Sequence, residues 1–138
     1  MRDEQEHVVI DAAALLDLLV ATDTGRVIDL RLERCVLHAP ANIDADVLAG
    51  LSRLEEAEVL ARYQARRHLE ALAAAPIERH PLATLLEAAW RRRSDLRLGS
   101  VLCIELARSL GVVVITTDPQ VAEAAGPVAD LIALRRAS

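Results

Sequence analysis

Val114-Ile115-Thr116-Thr117-Asp118 and, near the start, Val8-Val9-Ile10-Asp11 are the stretches whose reading decides the fold. Each is an apolar, β-branched run that stops at an aspartate. Such runs read as buried strands of a parallel sheet. In open α/β sheets, ligands sit in the crevice beyond the carboxyl ends of the strands. Two strands ending in Asp therefore aim two carboxylates at one crevice, a place for a hard cation.

Working outward, Ala12–Ala21 has helical composition and follows Asp11 at once, so Asp11 marks a strand–helix junction. Thr22-Asp23-Thr24-Gly25 reads as a turn with N-cap chemistry, and Arg26–Glu33 as a second short helix. Cys35–His38 is a short strand closed by Ala39-Pro40. Ile43, Val47, Leu48, Leu51 and Leu54 fall at helical spacing between Asn42 and Glu58, and a further helix is predicted over Val59–Ala73. Pro76 to Pro81 is a brief extended piece, and Leu82–Arg92 is helical. Ser94–Leu98 connects to a helix over Ser100–Leu110, which Gly111 ends as a C-cap. Val112–Ile115 is the strand that delivers Asp118; Val128–Leu134 is a last strand or a helix, which periodicity does not settle. Strands alternating with helices imply an α/β sandwich with a mainly parallel sheet.

The 138 residues are read as one domain, 1–138. Apolar residues make up 53%, yet Phe is absent and Trp90 and Tyr63 stand alone, so the core must be aliphatic. Met1 to His7 is charged and the apolar run from Val8 is broken by Asp11 and Asp17, which does not read as a signal peptide. No run reaches the roughly 18 apolar residues of a membrane span. Cys35 and Cys103 are too few and too far apart for a disulfide framework or a zinc site and read as buried small hydrophobes. A reducing cytoplasm is the expected setting. A net charge of −5 argues against a sequence-blind nucleic-acid coat but leaves a nuclease open, since a metal site needs clustered acids. The lack of aromatics argues against binding single strands by base stacking.

Several segments in this order carry a family resemblance. They are Val9-Ile10-Asp11-Ala12, Ala39-Pro40 with Asp44-Ala45-Asp46-Val47-Leu48, Pro76-Ile77-Glu78-Arg79-His80-Pro81-Leu82, Ala89-Trp90-Arg91-Arg92-Arg93, Leu106-Ala107 and Thr116-Thr117-Asp118. Together they resemble the PIN-domain nucleases, in particular the VapC-type toxins of bacterial toxin–antitoxin pairs, over nearly the whole chain. The resemblance implies a PIN-like three-layer α/β/α sandwich and acids that hold Mg²⁺ or Mn²⁺ and cut a phosphodiester in RNA. Asp11 matches the family's first acid, Asp46 the second (usually a Glu) and Asp118 the last; Thr116 would orient Asp118 or the attacking water. An ungapped alignment puts Ser100 where the family has its third acid and Gly99 where it has a Tyr. Ser100 brings no charge, so the resemblance implies a degenerate site: a weakened nuclease or, alternatively, an inactive module that binds RNA or a partner protein. Asp95, in the preceding connection, is an auxiliary candidate. Glu105 is not, because five helical residues turn it about 140° from Ser100. The resemblance also implies a homodimer and a small antitoxin, for which the Leu-rich Val47–Ala73 region offers a surface.

Each of these residues also has a plainer reading. Asp11 and Ser100 are good N-caps, and the N-cap is the preferred reading of Ser100. Asp118 before Pro119 suits a turn, Asp46 an exposed helical position, and Asp44 the first-turn charge that complements a helix dipole. Arg91, Arg92 and Arg93, with Arg97 close behind, read as a solvated helix end, or as phosphate contacts through Arg93 and Arg97. His7, His38, His68 and His80 show no paired metal spacing and read as structural or exposed.

Overall fold

The computed structural model describes residues 4–133. Five strands, β1 (Glu6–Ile10), β2 (Cys35–Pro40), β3 (Ile77–His80), β4 (Val114–Thr116) and β5 (Ala129–Leu131), form one sheet in the order β3-β2-β1-β4-β5. Every pairing is parallel. Among the described residues, seven α-helices and one 3-10 turn (Gly126–Val128) connect them: α1 (Ala12–Val20), α2 (Asp23–Arg31), α3 (Ile43–Glu56), α4 (Arg62–Ala74), α5 (Leu86–Arg91), α6 (Leu98–Leu110) and α7 (Pro119–Ala125).

Alternation along the strands divides the core in two. Val8 and Ile10 pack with Ile115, Ala39 and Ile77 against Leu15, Ile28, Ile43, Val47, Leu51 and Leu72 of α1 to α4. Val9 and Val114 face the other way, against Ala89 of α5, Val101 to Ile104 and Leu106 of α6, and Val121 of α7. The result is a three-layer α/β/α sandwich with an aliphatic core, as expected. Among the described residues no helix is long and apolar enough to cross a membrane.

The chain builds the sheet outward from β1 to β3, then returns to place β4 on the other side of β1. Between β1 and β4 the strand order reverses, which opens a crevice at the carboxyl ends of the two strands. Backbone bonds from Val9 N to Val113 O (2.9 Å) and Asp11 N to Ile115 O (3.1 Å) lock the pair.

Most expected elements form, with shifted ends. The anticipated Thr22–Gly25 turn is the start of α2: Thr22 is its N-cap, and its hydroxyl accepts from Gly25 N at 2.9 Å. Only Leu86–Arg91 of the expected Leu82–Arg92 helix is formed, because Leu82 to Leu85 makes a hydrogen-bonded turn first. Helix α6 begins at Leu98 with Arg97 at its N-cap, so Ser100 is inside the first turn rather than capping it, and its N–H is already taken by Arg97 O at 3.0 Å. The last element among the described residues is the short strand β5; Leu134, at the end of its expected range, and the ends of the 1–138 domain assignment lie outside them. Helix α6 closes at Gly111 in the left-handed region, as its sequence requires.

Gly25 records the close approach of α2 to α1. A Cβ there would lie 2.0 Å from Asp17 O and 3.2 Å from Leu18 Cα, both rigid backbone atoms. Gly25→Ala is expected to destabilise the fold by about 1–3 kcal/mol through overpacking. Urea unfolding should show a lower midpoint at unchanged slope, and an unchanged midpoint would contradict the close packing.

Candidate functional site

At the β1/β4 crevice a cavity of about 510 Å³ opens, with Asp11, Asp46 and Asp118 in its wall. Three different elements deliver them. Asp11 leaves the end of β1 and caps α1, its Oδ1 accepting from Ala14 N at 2.9 Å. Asp118 follows β4 and caps α7, its Oδ1 accepting from Gln120 N at 2.9 Å, with Pro119 preset as the first helical residue. Capping does not take these two residues out of the cavity wall: one oxygen fixes each carboxylate to a helix while the residue lines the cavity. Asp46 stands on α3, half-buried, its Oδ2 accepting from Asn42 Nδ2 at 2.7 Å. Asn42 Oδ1 is buried and has no hydrogen-bond partner among the described residues.

Thr116 is fully buried behind the acids. Its hydroxyl accepts from Asp118 N at 3.0 Å and bonds to the Asp11 carboxylate, so one side chain fixes two of the three acids. Its part is to orient the acids; it is not in the cavity wall.

The opposite wall comes from the segment before and at the start of α6, where Asp95, Arg97, Gly99 and Ser100 line the cavity. Gly99 matters here by what it lacks. A Cβ at this position would sit 2.4 Å from Asp46 Oδ2 and 3.0 Å from Asn42 Nδ2. The start of α6 therefore abuts the Asp46–Asn42 pair, and only glycine leaves the carboxylate where it is. Arg93 stands apart from the cavity: its guanidinium lies 3.9 Å over the Trp90 ring and donates to Trp90 O at 2.6 Å. Glu105 also points elsewhere, buried and paired with Arg108 at 2.6 Å and Arg92 at 3.5 Å. Asp44 is held by Arg79 of β3 at 2.8 Å, a brace between α3 and the sheet edge.

One lining residue, Arg53, escaped the sequence reading. The signal was present: Asp46, Ala49, Gly50 and Arg53 recur at helical spacing, and all four line the cavity. Three of the four histidines, expected to be structural or exposed, are brought together by strand pairing. The register sets His7, His38 and His80 in one diagonal row across β1, β2 and β3, linked by contacts of 2.9 and 2.8 Å. Burial holds His38 below the usual imidazole range.

Electrostatics mark Asp11. Burial pushes its pKa from 3.8 up to about 6, against the lowering effect of its bonds to Thr116 and Ala14; the charges of Asp118 and Asp17 raise it further. The thiol of Cys103, buried in the same wall, is held well above its ordinary range by burial and then by the charges of Asp11 and Asp46. It stays protonated and is not a nucleophile.

The elevation of Asp11 predicts a pH signature in metal-free protein. Its folded pKa exceeds the unfolded one, so the native state binds more protons and stability falls as pH rises from about 4 through 6. The span from 3.8 to about 6 corresponds to roughly 3 kcal/mol. Asp11→Asn, which keeps the cap, should be more stable than the parent by up to that amount at pH 7, with the gap closing below pH 4. Chemical denaturation in chelator at both pH values checks this; a gap that does not change with pH would contradict the burial argument.

The PIN-domain sequence profile matches residues 8–127, which includes the carboxyl end of β1, all of β4, and Asp11, Asp46 and Asp118. Ribonuclease VapC3 of Mycobacterium tuberculosis is 44% identical over 120 residues, covering 86% of this chain and 88% of that protein. Ribonuclease VapC1 of the same species is 32% identical over 88% of this chain and 92% of that one. Among solved structures, PAE2754 from Pyrobaculum aerophilum superposes with a TM-score of 0.63 at 23% identity, over 92% of this chain and 84% of that one. A chain of VapBC2 from Rickettsia felis, solved bound to a promoter DNA fragment, gives the same TM-score at 9% identity, over 92% and 99%. These last two likenesses concern the fold. With the profile spanning the crevice and close relatives spanning most of the chain, this chain belongs to the PIN-domain family.

Proposed function

We propose that this chain is a VapC-like ribonuclease whose acidic cavity hydrolyses a phosphodiester bond in RNA with the help of Mg²⁺ or Mn²⁺. The observation that carries the reading is the shared cavity: three carboxylates from β1, α3 and β4 face one space beside the cations Arg53 and Arg97. A volume of about 510 Å³ suits one nucleotide unit with its phosphate.

The donor set fits a hard cation. Asp11, Asp46 and Asp118 offer carboxylate oxygens and Ser100 a hydroxyl, the ligand chemistry of Mg²⁺ and Mn²⁺. The raised pKa of Asp11 points the same way, since a buried carboxylate beside other acids is a group short of a positive partner. When bound, such an ion supplies charge neutralisation at the phosphate and a nucleophile at neutral pH. The chain does the rest. Asp11, Asp46 and Asp118 would hold the ion, and Thr116 and the two helix caps keep Asp11 and Asp118 from turning away. Arg53 and Arg97 draw the phosphodiester into the cavity and offset its charge. Arg93, stacked on Trp90, lies outside the wall and serves RNA only beyond the cleavage point.

The same reading brings a small antitoxin, a homodimer and a cytoplasmic setting, where RNA and antitoxin meet. Leu48 on α3, Val59 in the connection that follows it and Tyr63 on α4, each at least half exposed, give such a partner an apolar surface. A second reading rests on Ser100. A hydroxyl in place of the family's third acid lowers the charge available to an ion, and a PIN-fold module that binds RNA or antitoxin without cutting follows if that loss is decisive.

Cleavage of total RNA with Mn²⁺ present or chelated separates the two. The ribonuclease reading expects metal-dependent cleavage at least tenfold above Asp11→Asn; equal, background-level products from both would reject it. Ser100→Asp restores a carboxylate and should raise cleavage on the order of 10–100-fold. Gly99→Ala should lower it by driving Asp46 out of place, with the thermal midpoint little changed because the displaced atoms end a side chain.

A further inference from the structure

We propose that His38, Glu78 and His80 form a second cation site, separate from the acidic cavity and suited to a transition-metal ion such as Zn²⁺. The proposal does not depend on the ribonuclease reading.

The strands themselves build the cluster. Glu78 and His80 are two residues apart on β3 and therefore project from one face of the sheet. His38 pairs with Glu78 across β2 and β3, and with Val9 across β1 and β2, which puts all three on the face that carries Val9. His38 Nδ1 lies 2.8 Å from His80 Nε2 and 3.5 Å from Glu78 Oε2. One ligand atom from each of the three lies within 4.8 Å of the other two. None of these residues lines the acidic cavity.

The chemistry selects a borderline ion. Two imidazole nitrogens and one carboxylate oxygen are the ligands of open zinc sites, whereas Mg²⁺ prefers an all-oxygen shell. With Zn–N bonds of about 2.0–2.1 Å, tetrahedral geometry puts two nitrogens about 3.3 Å apart, so the rings need to separate by only about half an ångström. Outer support is already in place. His7 Nδ1 lies 2.9 Å from His38 Nε2, so the tautomer that donates from Nε2 to His7 leaves Nδ1 free for the ion. Burial also fixes the geometry: His38 is only 6% exposed, while Glu78, with 63% of its side chain exposed, leaves a path from solvent.

Zinc titration of the full chain by calorimetry, in millimolar Mg²⁺, tests this. One Zn²⁺ per chain is expected, with affinity unchanged in Asp11→Asn and lowered on the order of 10–100-fold or more in His80→Ala and Glu78→Gln. Co²⁺ loaded in place of Zn²⁺ should give the visible bands of a four-coordinate nitrogen–oxygen site, and these should disappear in His80→Ala. Glu78 is exposed, so Glu78→Gln keeps the fold and decides the matter even if His80→Ala does not. No binding by the parent chain would overturn the proposal. So would binding that neither substitution weakens, or that Asp11→Asn abolishes.

Discussion

Asp11 and Asp118 share a cavity because β1 and β4 are hydrogen-bonded neighbours, although more than a hundred residues separate the two aspartates. The pairing is parallel, so both strands end on the same side of the sheet. It also falls where the strand order reverses, so no crossover connection covers the space beyond. Each aspartate then starts a helix, and the cap bond removes most of its rotational freedom. Antiparallel pairing, or one further strand between β1 and β4, would send the two carboxylates to different places. The rest of the cavity is added from the two helical layers: α3 brings Asp46 and Arg53 from one side, and α6 brings Gly99 and Ser100 from the other.

That arrangement has an energetic cost, concentrated at Asp11. A carboxylate almost wholly buried beside two others is poorly solvated, and its raised pKa is the measure of that. Thr116 and the backbone of α1 offset part of the cost by bonding to the ionised form. A bound divalent cation would offset the remainder, so stability and metal affinity are linked at this residue. Gly99 belongs to the same economy of space. It occupies a position where the resemblance leads one to expect a tyrosine, and it lets the end of α6 close against Asp46 and Asn42.

Much of this was legible in the residues. Two apolar β-branched runs ending in Asp were enough to place the crevice, and family likeness added Asp46, which helical periodicity alone gave no reason to choose. Element ends were less legible because local chemistry was ambiguous: Thr22 and Ser100 both looked like caps, and only Thr22 is one. Arg53 was recoverable from its spacing after Asp46, a helical repeat that carries charge as well as apolar residues. The histidine row was not recoverable. His7, His38 and His80 have no meaningful spacing along the chain, and what unites them is strand register, a property of the folded sheet.

The central claim is that Asp11, Asp46 and Asp118 act on one ion, and anomalous diffraction from crystals soaked in Mn²⁺ addresses it most directly. The account predicts an anomalous peak in the cavity between β1, α3 and β4, within ligand distance of at least two of the three carboxylates. No peak in the cavity at millimolar Mn²⁺, or a peak held only by His38 and His80, would contradict it.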